Sequence, residues 1–200
     1  MKVNGLVIVA MTLITLCSTQ AYANNSAKGF EVTPWFGYSM ASDLDDALGN
    51  DLSVDSGANF GISVSWFDSP NGQGQVMLSR VSHEFDYGDN QTGDLDITYG
   101  HFNGVALFHQ ENFTTTVSLG IGFAQFDADN GDELFASAGV GIGTRYEFSD
   151  NLAFVTEIRS NFSVVDDESD IFCQNDACSA QFADSIFIDT SFSIGIAYRF

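Results

Sequence analysis

From residue 186 to Phe200, two classes of position take turns. Ile186, Ile188, Phe192, Ile194, Ile196, Tyr198 and Phe200 are large and apolar, while Asp189, Ser191, Ser193, Gly195, Ala197 and Arg199 are small, polar or charged. A period of two marks a strand with unlike faces. The same period sets Phe113, Thr115, Val117, Leu119, Ile121 and Phe123 against Thr114, Thr116, Ser118, Gly120, Gly122 and Ala124. It sets Val140, Ile142, Tyr146 and Phe148 against Gly139, Gly141, Gly143, Arg145 and Glu147, and Leu152, Phe154, Ile158 and Phe162 against Glu157, Arg159 and Asn161. Helical spacing does not recur. The pattern predicts eight strands, at 29–40, 57–67, 75–85, 95–109, 113–126, 134–148, 152–165 and 186–200.

The connections between them alternate in length. Segments 69–74, 110–112 and 149–151 are short, whereas 41–56, 86–94, 127–133 and 166–185 are long. The long set holds 18 of the 27 acidic residues and no Lys or Arg. One end of the molecule is therefore tight, and the other is long-looped and acidic.

Eight alternating strands suit either a secreted, lipocalin-like barrel or a membrane barrel turned inside out. The faces holding Gly139, Gly141, Gly143, Arg145, Glu147, Glu157, Arg159, Asp189 and Arg199 cannot line an apolar ligand pocket, but they suit a polar lumen. The opposite faces are too continuously apolar to leave in water. Lipid fits them, and in lipid only a closed sheet satisfies every backbone group. The expected fold is all-β: an eight-stranded antiparallel up-and-down transmembrane β-barrel. Trp35, Tyr38, Trp66, Tyr99, Tyr198 and Phe200 would supply interfacial aromatics. Two strands resist. Pro34 interrupts the first, which predicts a bulge. If Arg80 and Glu84 point inward, then Met77, Val81, His83 and Phe85 point to lipid. With Leu95, Ile97, Tyr99, Val105 and Leu107 facing out, His101 and Asn103 would face lipid too, a costly placement that predicts a slip in register.

The first 23 residues read as a cleaved signal peptide. Lys2 precedes a short apolar run at 5–16, and Ala21, Tyr22 and Ala23 form a cleavage site. The barrel domain then spans 24–200. Leu16 before Cys17 argues against lipidation. Cys173 and Cys178 remain, and an even pair in an exported chain predicts a disulfide. After residue 23 five basic residues face 27 acidic ones, a net charge of −22. That excludes nucleic acid as a partner and opposes binding to anionic lipid surfaces through the loops.

At the C-terminus the chain resembles the small eight-stranded outer-membrane barrels of the OmpA, OmpX and OmpW kind. Their last strand ends in an aromatic signal read by the barrel insertion machinery, and Ile194, Ile196, Tyr198 and Phe200 match it here. The resemblance implies a multi-pass barrel, monomeric, in the outer membrane of a Gram-negative bacterium. It implies contact with outer-membrane lipids and lipopolysaccharide. No cell-wall-binding domain is expected after Phe200.

Several groups could carry chemistry. Glu31, Arg80, Glu84, Asp96, Arg145, Glu147, Glu157, Arg159, Asp189 and Arg199 are expected to form an ion-pair network inside the lumen. The favoured reading is a static plug, because eight strands leave an interior just wide enough for side chains; a gate that exchanges partners is the alternative. The glycine runs at 120–123 and 139–144 lie within strands and do not open a helix, so they are not phosphate loops. Asp127, Asp129, Asp132 and Glu133 form the best candidate for a weak divalent-cation site, which would bridge to lipopolysaccharide phosphates. A solvated acidic surface is the simpler reading. His83, His101 and His109 are the only histidines. Without the H-x-S spacing of lipid A deacylases, no catalytic residue is assigned. No cofactor is expected. The functional expectation is a structural or surface-interaction barrel, with a narrow channel for small molecules as alternative and a lipid-modifying enzyme ranked last.

Overall fold

The computed structural model describes residues 29–45, 51–86, 92–128, 131–166, 172–174, 177–178 and 180–200. The expected signal peptide lies outside them. In chain order the strands are β1 (Phe30–Ala41), β2 (Leu44–Asp45), β3 (Asp51–Leu52), β4 (Gly57–Ser69), β5 (Gly72–Asp86), β6 (Thr92–His109), β7 (Thr114–Ala128), β8 (Gly131–Glu147), β9 (Leu152–Val164), β10 (Cys173–Gln174), β11 (Ala177–Cys178), β12 (Gln181–Phe182) and β13 (Ile186–Arg199). The eight long strands close into one antiparallel barrel in the order β1-β13-β9-β8-β7-β6-β5-β4. Closure leaves no unpaired edge, which is what a sheet inside lipid requires. At the long-loop end, β12, β2 and β3 form a small sheet, and β10 pairs with β11.

Strand pairing reaches into two of the expected long connections. β5 and β6 stay paired out to Asp86 and Thr92, and β7 and β8 to Ala128 and Gly131.

The bulge expected at Pro34 is absent. The β1–β13 register is the same before and after it, from Val32 opposite Tyr198 to Trp35 opposite Gly195. Pro34 points outward, and the ladder omits the bonds it cannot make. The irregularity lies instead between Phe67 and Ser69, near the first short turn. β6 pairs without interruption from residue 92 to 109, so the slip expected near His101 is absent as well.

Outside, β4 shows Phe60, Ile62 and Val64, β7 shows Val117, Leu119 and Ile121, and β13 shows Ile188, Phe192, Ile194 and Ile196, all exposed. This is the apolar band. On β5 and β6 the facing assigned from sequence is reversed. Met77, Val81, His83 and Phe85 point inward, as do Leu95, Ile97, Tyr99, His101 and Asn103. Trp35 and Tyr99 also face the lumen, at 9% and 1% exposure, so neither is an interfacial aromatic. The reason is register. Phe60 on the outer face of β4 sits opposite Arg80, and Thr98 continues that row on β6. Residues directly opposite across a ladder share a face.

Candidate functional site: a layered lumen

The side chains that point into the lumen form three layers. The first, at the short-turn end, is ionic. Arg145 on β8 reaches across to Glu31 on β1, donating from Nη1 to Oε1 at 2.7 Å and from Nη2 to Oε2 at 2.6 Å. Its Nε donates to Glu147 at 2.5 Å. Arg199 stands 3.6 Å from both of those carboxylates, and its guanidinium lies 4.5 Å from the centre of the Phe67 ring. The two-pronged geometry on Glu31 is the strong form of such a pair.

The second layer, at mid-depth, is a continuous hydrogen-bonded chain. Arg159 on β9 donates to Glu157 at 2.8 Å, to Ser118 at 3.1 Å and to Asn103 at 3.1 Å. Asn103 donates to Gln75, Gln75 to Ser63, and the Trp35 indole also donates to Ser63. The chain thus crosses the lumen from β9 through β6, β5 and β4 to β1. Above it, His101 meets Ser137 at 3.1 Å. Near the top of this layer Ser39 donates to Asp189, with His83 Nε2 3.7 Å from the same carboxylate. His83 Nδ1 reaches the backbone carbonyl of Asp55 at 2.8 Å, tying the first long loop to the wall.

The third layer, at the long-loop end, is apolar. Val81, Phe85, Leu95, Ile97, Phe126, Phe135 and Phe187 point inward from the wall, and Leu44, Phe172, Ala180 and Phe182 come down on them from the loops. Phe126 makes edge-to-face contacts with Phe135, Phe182 and Phe187 at 5.3, 5.5 and 5.2 Å. That is favoured aromatic geometry. Sequence reasoning missed this layer because it turned Val81, Phe85, Leu95 and Ile97 to lipid and gave Phe126, Phe135 and Phe187 no face. The usable signal was the band's length: β5 and β6 run well past the apolar stretch of their outer faces.

Of the ten candidate lumen charges, Glu31, Arg145, Glu147, Glu157, Arg159, Asp189 and Arg199 lie on inward positions. Arg80, Glu84 and Asp96 do not. Arg80 and Asp96 pair at 2.6 Å on the outer wall, with side chains 56% and 31% exposed, and Glu84 is exposed on the same face. They sit on the part of the β5–β6 hairpin beyond Leu78 and Phe102, where the outer face is no longer apolar and charge can face out.

His101, expected to face lipid, faces inward and is buried. Asp127 and Asp132 sit opposite each other on β7 and β8, and Gln125 donates to Asp132 at 3.3 Å. Asp129 lies outside the described residues. Among the described residues no three acidic, His or Cys side chains gather as a metal site. Cys173 and Cys178 sit directly opposite each other in the β10–β11 pair. Ile194, Ile196, Tyr198 and Phe200 all face outward, and the Tyr198 and Phe200 rings stack at 6.3 Å.

A closed eight-stranded barrel with an apolar outer band and a lumen of ion pairs defines a membrane-spanning β-barrel protein. The chain belongs to the family of the outer membrane protein beta-barrel domain, whose pattern matches residues 9–200. Its place is the outer membrane of a Gram-negative bacterium. Among solved structures it is similar to Neisserial surface protein A, at 16% identity and TM-score 0.59, over 88% of this chain and 100% of that one. It is also similar to the attachment invasion locus protein Ail of Yersinia pestis, at 16% identity and TM-score 0.48, over 86% and 99% of the two chains. The N-terminal barrel of Pseudomonas aeruginosa OprF aligns at 13% identity and TM-score 0.48, over 88% and 100%. No curated protein sequence matches. At these identities the likeness is one of fold.

Proposed function

We propose that this chain is a structural or surface-interaction barrel whose lumen does not conduct, and whose acidic loops meet the outside. The observation that carries the reading is the filled interior. A solute entering from the short-turn end meets Arg145 held by two carboxylates. Beyond that lie the Arg159 chain and the apolar layer under the loops. Three barriers of different chemistry stand in series, and each would have to open. The loops then become the working surface. Their acids would repel lipopolysaccharide phosphates unless divalent cations bridge the two. The Ser-His contact seen among the described residues, Ser137 with His101, is buried within the lumen and gives catalysis no support.

The test is conductance of the purified protein in a planar bilayer, after heating is seen to shift its gel mobility as it does for folded barrels. A silent, folded barrel is expected. Discrete, reproducible channels would overturn the reading in favour of a narrow pore. One feature favours that second reading. Arg199 already stands 3.6 Å from both carboxylates that hold Arg145 and could take them over if Arg145 swung aside. Under the pore reading, Arg145→Ala raises conductance; under the closed reading it leaves the barrel silent.

A further inference from the structure

The outer wall has a groove of about 590 Å³ near the short-turn end, across β4 to β7. One row of the sheet explains it. Trp66 on β4 sits opposite Gly74 on β5, Gly74 opposite Gly104 on β6, and Gly104 opposite Leu119 on β7. All four face outward. Two missing side chains between two bulky ones make a trench, which Ala106 continues toward the turn. Phe102, 5.8 Å from the Trp66 ring, closes it on the membrane side. The Trp66 ring lies over Gly74, so a Cβ there would collide with it, whereas a Cβ on Gly104 meets no atom within 4 Å. Nothing in the protein requires glycine at 104, and the space above it is open. With Trp66 covering Gly74, the free floor is about one strand spacing, some 5 Å wide, which suits one extended hydrocarbon chain.

The rim has its own chemistry. The register break between Phe67 and Ser69 leaves Asp68 without a partner across the ladder, and a bulge re-aims the residue it displaces. Asp68 and Asn71 line the groove at its turn end, and no Lys or Arg lines it. The rim therefore offers acceptors to a cation and repels an anion.

We propose that this trench is a seat for one membrane phospholipid bearing a primary ammonium headgroup. One acyl chain lies over Gly104 between Trp66 and Leu119, and the ammonium donates to the Asp68 carboxylate. The proposal rests on the outer-membrane placement of the barrel and is independent of whether the lumen conducts.

The protein carries its own probe. It has two tryptophans. Trp35 is buried in the lumen and bonded to Ser63, while Trp66 forms the bank of the trench. Brominated acyl chains quench only a tryptophan they touch. Protein purified from membranes is placed in phosphatidylcholine vesicles in which about one lipid in ten is brominated phosphatidylethanolamine or, separately, brominated phosphatidylglycerol. A tenfold preference for the seat would fill about half of the trenches at that dilution. The expected result is strong quenching by the ethanolamine lipid and weak quenching by the glycerol lipid. Gly104→Leu, which points into open space, should abolish the difference, and Asp68→Asn should reduce it. Should Gly104→Leu fail to fold by gel mobility, Ala106→Leu blocks the same trench one row away. Equal quenching by both lipids, stronger quenching by the anionic one, or a preference that survives the folded blocking variant would overturn the proposal.

Discussion

Replacing Arg159 by methionine isolates the middle layer of the lumen. The Arg159 side chain is 3% exposed, and Glu157 beside it is 9% exposed. Its guanidinium holds Glu157 at 2.8 and 3.3 Å, Ser118 at 3.1 Å and Asn103 at 3.1 Å. Methionine keeps most of the volume and removes every donor. Glu157 is then a buried carboxylate that keeps, among the described residues, Ser118 as hydrogen bond partner at 3.0 Å. Removing one member of a buried pair costs about 3–5 kcal/mol, most of it the penalty of the stranded charge. Adding Glu157→Gln removes that charge, and replacing a whole buried pair is often close to neutral. The single variant should therefore be less stable than the double variant by about 2–4 kcal/mol. Urea titration of the protein in lipid vesicles, read by tryptophan emission and by gel mobility without heating, measures both. If Arg159→Met alone costs under about 1 kcal/mol, the pair behaves as an exposed one and the buried network is refuted. A double variant as unstable as the single would mean that volume, not charge, sets the cost.

The Arg80–Asp96 pair supplies the contrast: on the exposed outer face, Asp96→Asn should change the same urea midpoint by less than about 1 kcal/mol of stability. Phe182→Ala removes a ring in contact with Phe126, Phe135, Phe172 and Phe187. It should cost about 3–5 kcal/mol if the loop layer unfolds together with the barrel. The variant should still be silent in a planar bilayer, because two polar layers remain beneath it; open channels from this change alone would place the whole barrier in the loops. Cys173 and Cys178, opposed in the β10–β11 pair, should show no maleimide-reactive thiol until reduced. Cys173→Ser should lower barrel stability by no more than about 2 kcal/mol, the chain-entropy ceiling for so short a loop.

Much of this architecture follows from the alternation of residues, and the part that does not has a definite cause. All eight barrel strands begin and end within three residues of where period-two spacing puts them. On β7, β8, β9 and β13 the inner face was plain over most of its length, since large apolar residues occupy one parity and Gly, Ser, Arg or Glu the other; Phe126, Phe135, Val155 and Phe187 are the exceptions. On β5 both parities carry apolar and polar residues. There Met77, Val81 and Phe85 compete with Val76 and Leu78, and the assumption that charge seeks the lumen chose the wrong set. Arg80, Glu84 and Asp96 were misplaced with it. Pairing decides such a strand, and pairing is a property of neighbours that a single sequence does not display. The paired carboxylates of Arg145 were within reach of sequence as residue types, but not as partners: Glu31 lies 114 positions away.

The lumen also explains why glycine gathers where it does. β7 and β8 turn Gly120, Gly122, Gly139, Gly141 and Gly143 inward, while the long polar side chains come from β9 and β6, the strands that flank them on either side. A Cβ on Gly139 would stand 3.0 Å from the Arg159 guanidinium, and one on Gly141 would stand 2.9 Å from the Glu157 carboxylate. The ion pair therefore lies flat against a wall stripped of side chains. An eight-stranded barrel has a fixed and narrow bore, so two charged groups can share it with a hydrogen-bonded chain only where the adjoining wall is bare. Glycine spacing and buried charge are two halves of one packing solution. A wider inner wall residue would force Arg159 out of reach of Asn103 and Ser118 and break the chain that spans to Trp35. Toward the long-loop end the same strands switch to Ala124, Phe126 and Phe135. The bore there holds rings in place of ions because the loops descend to cover it. Polar filling belongs where nothing but the wall can satisfy a side chain, and apolar filling where a second surface arrives to exclude water.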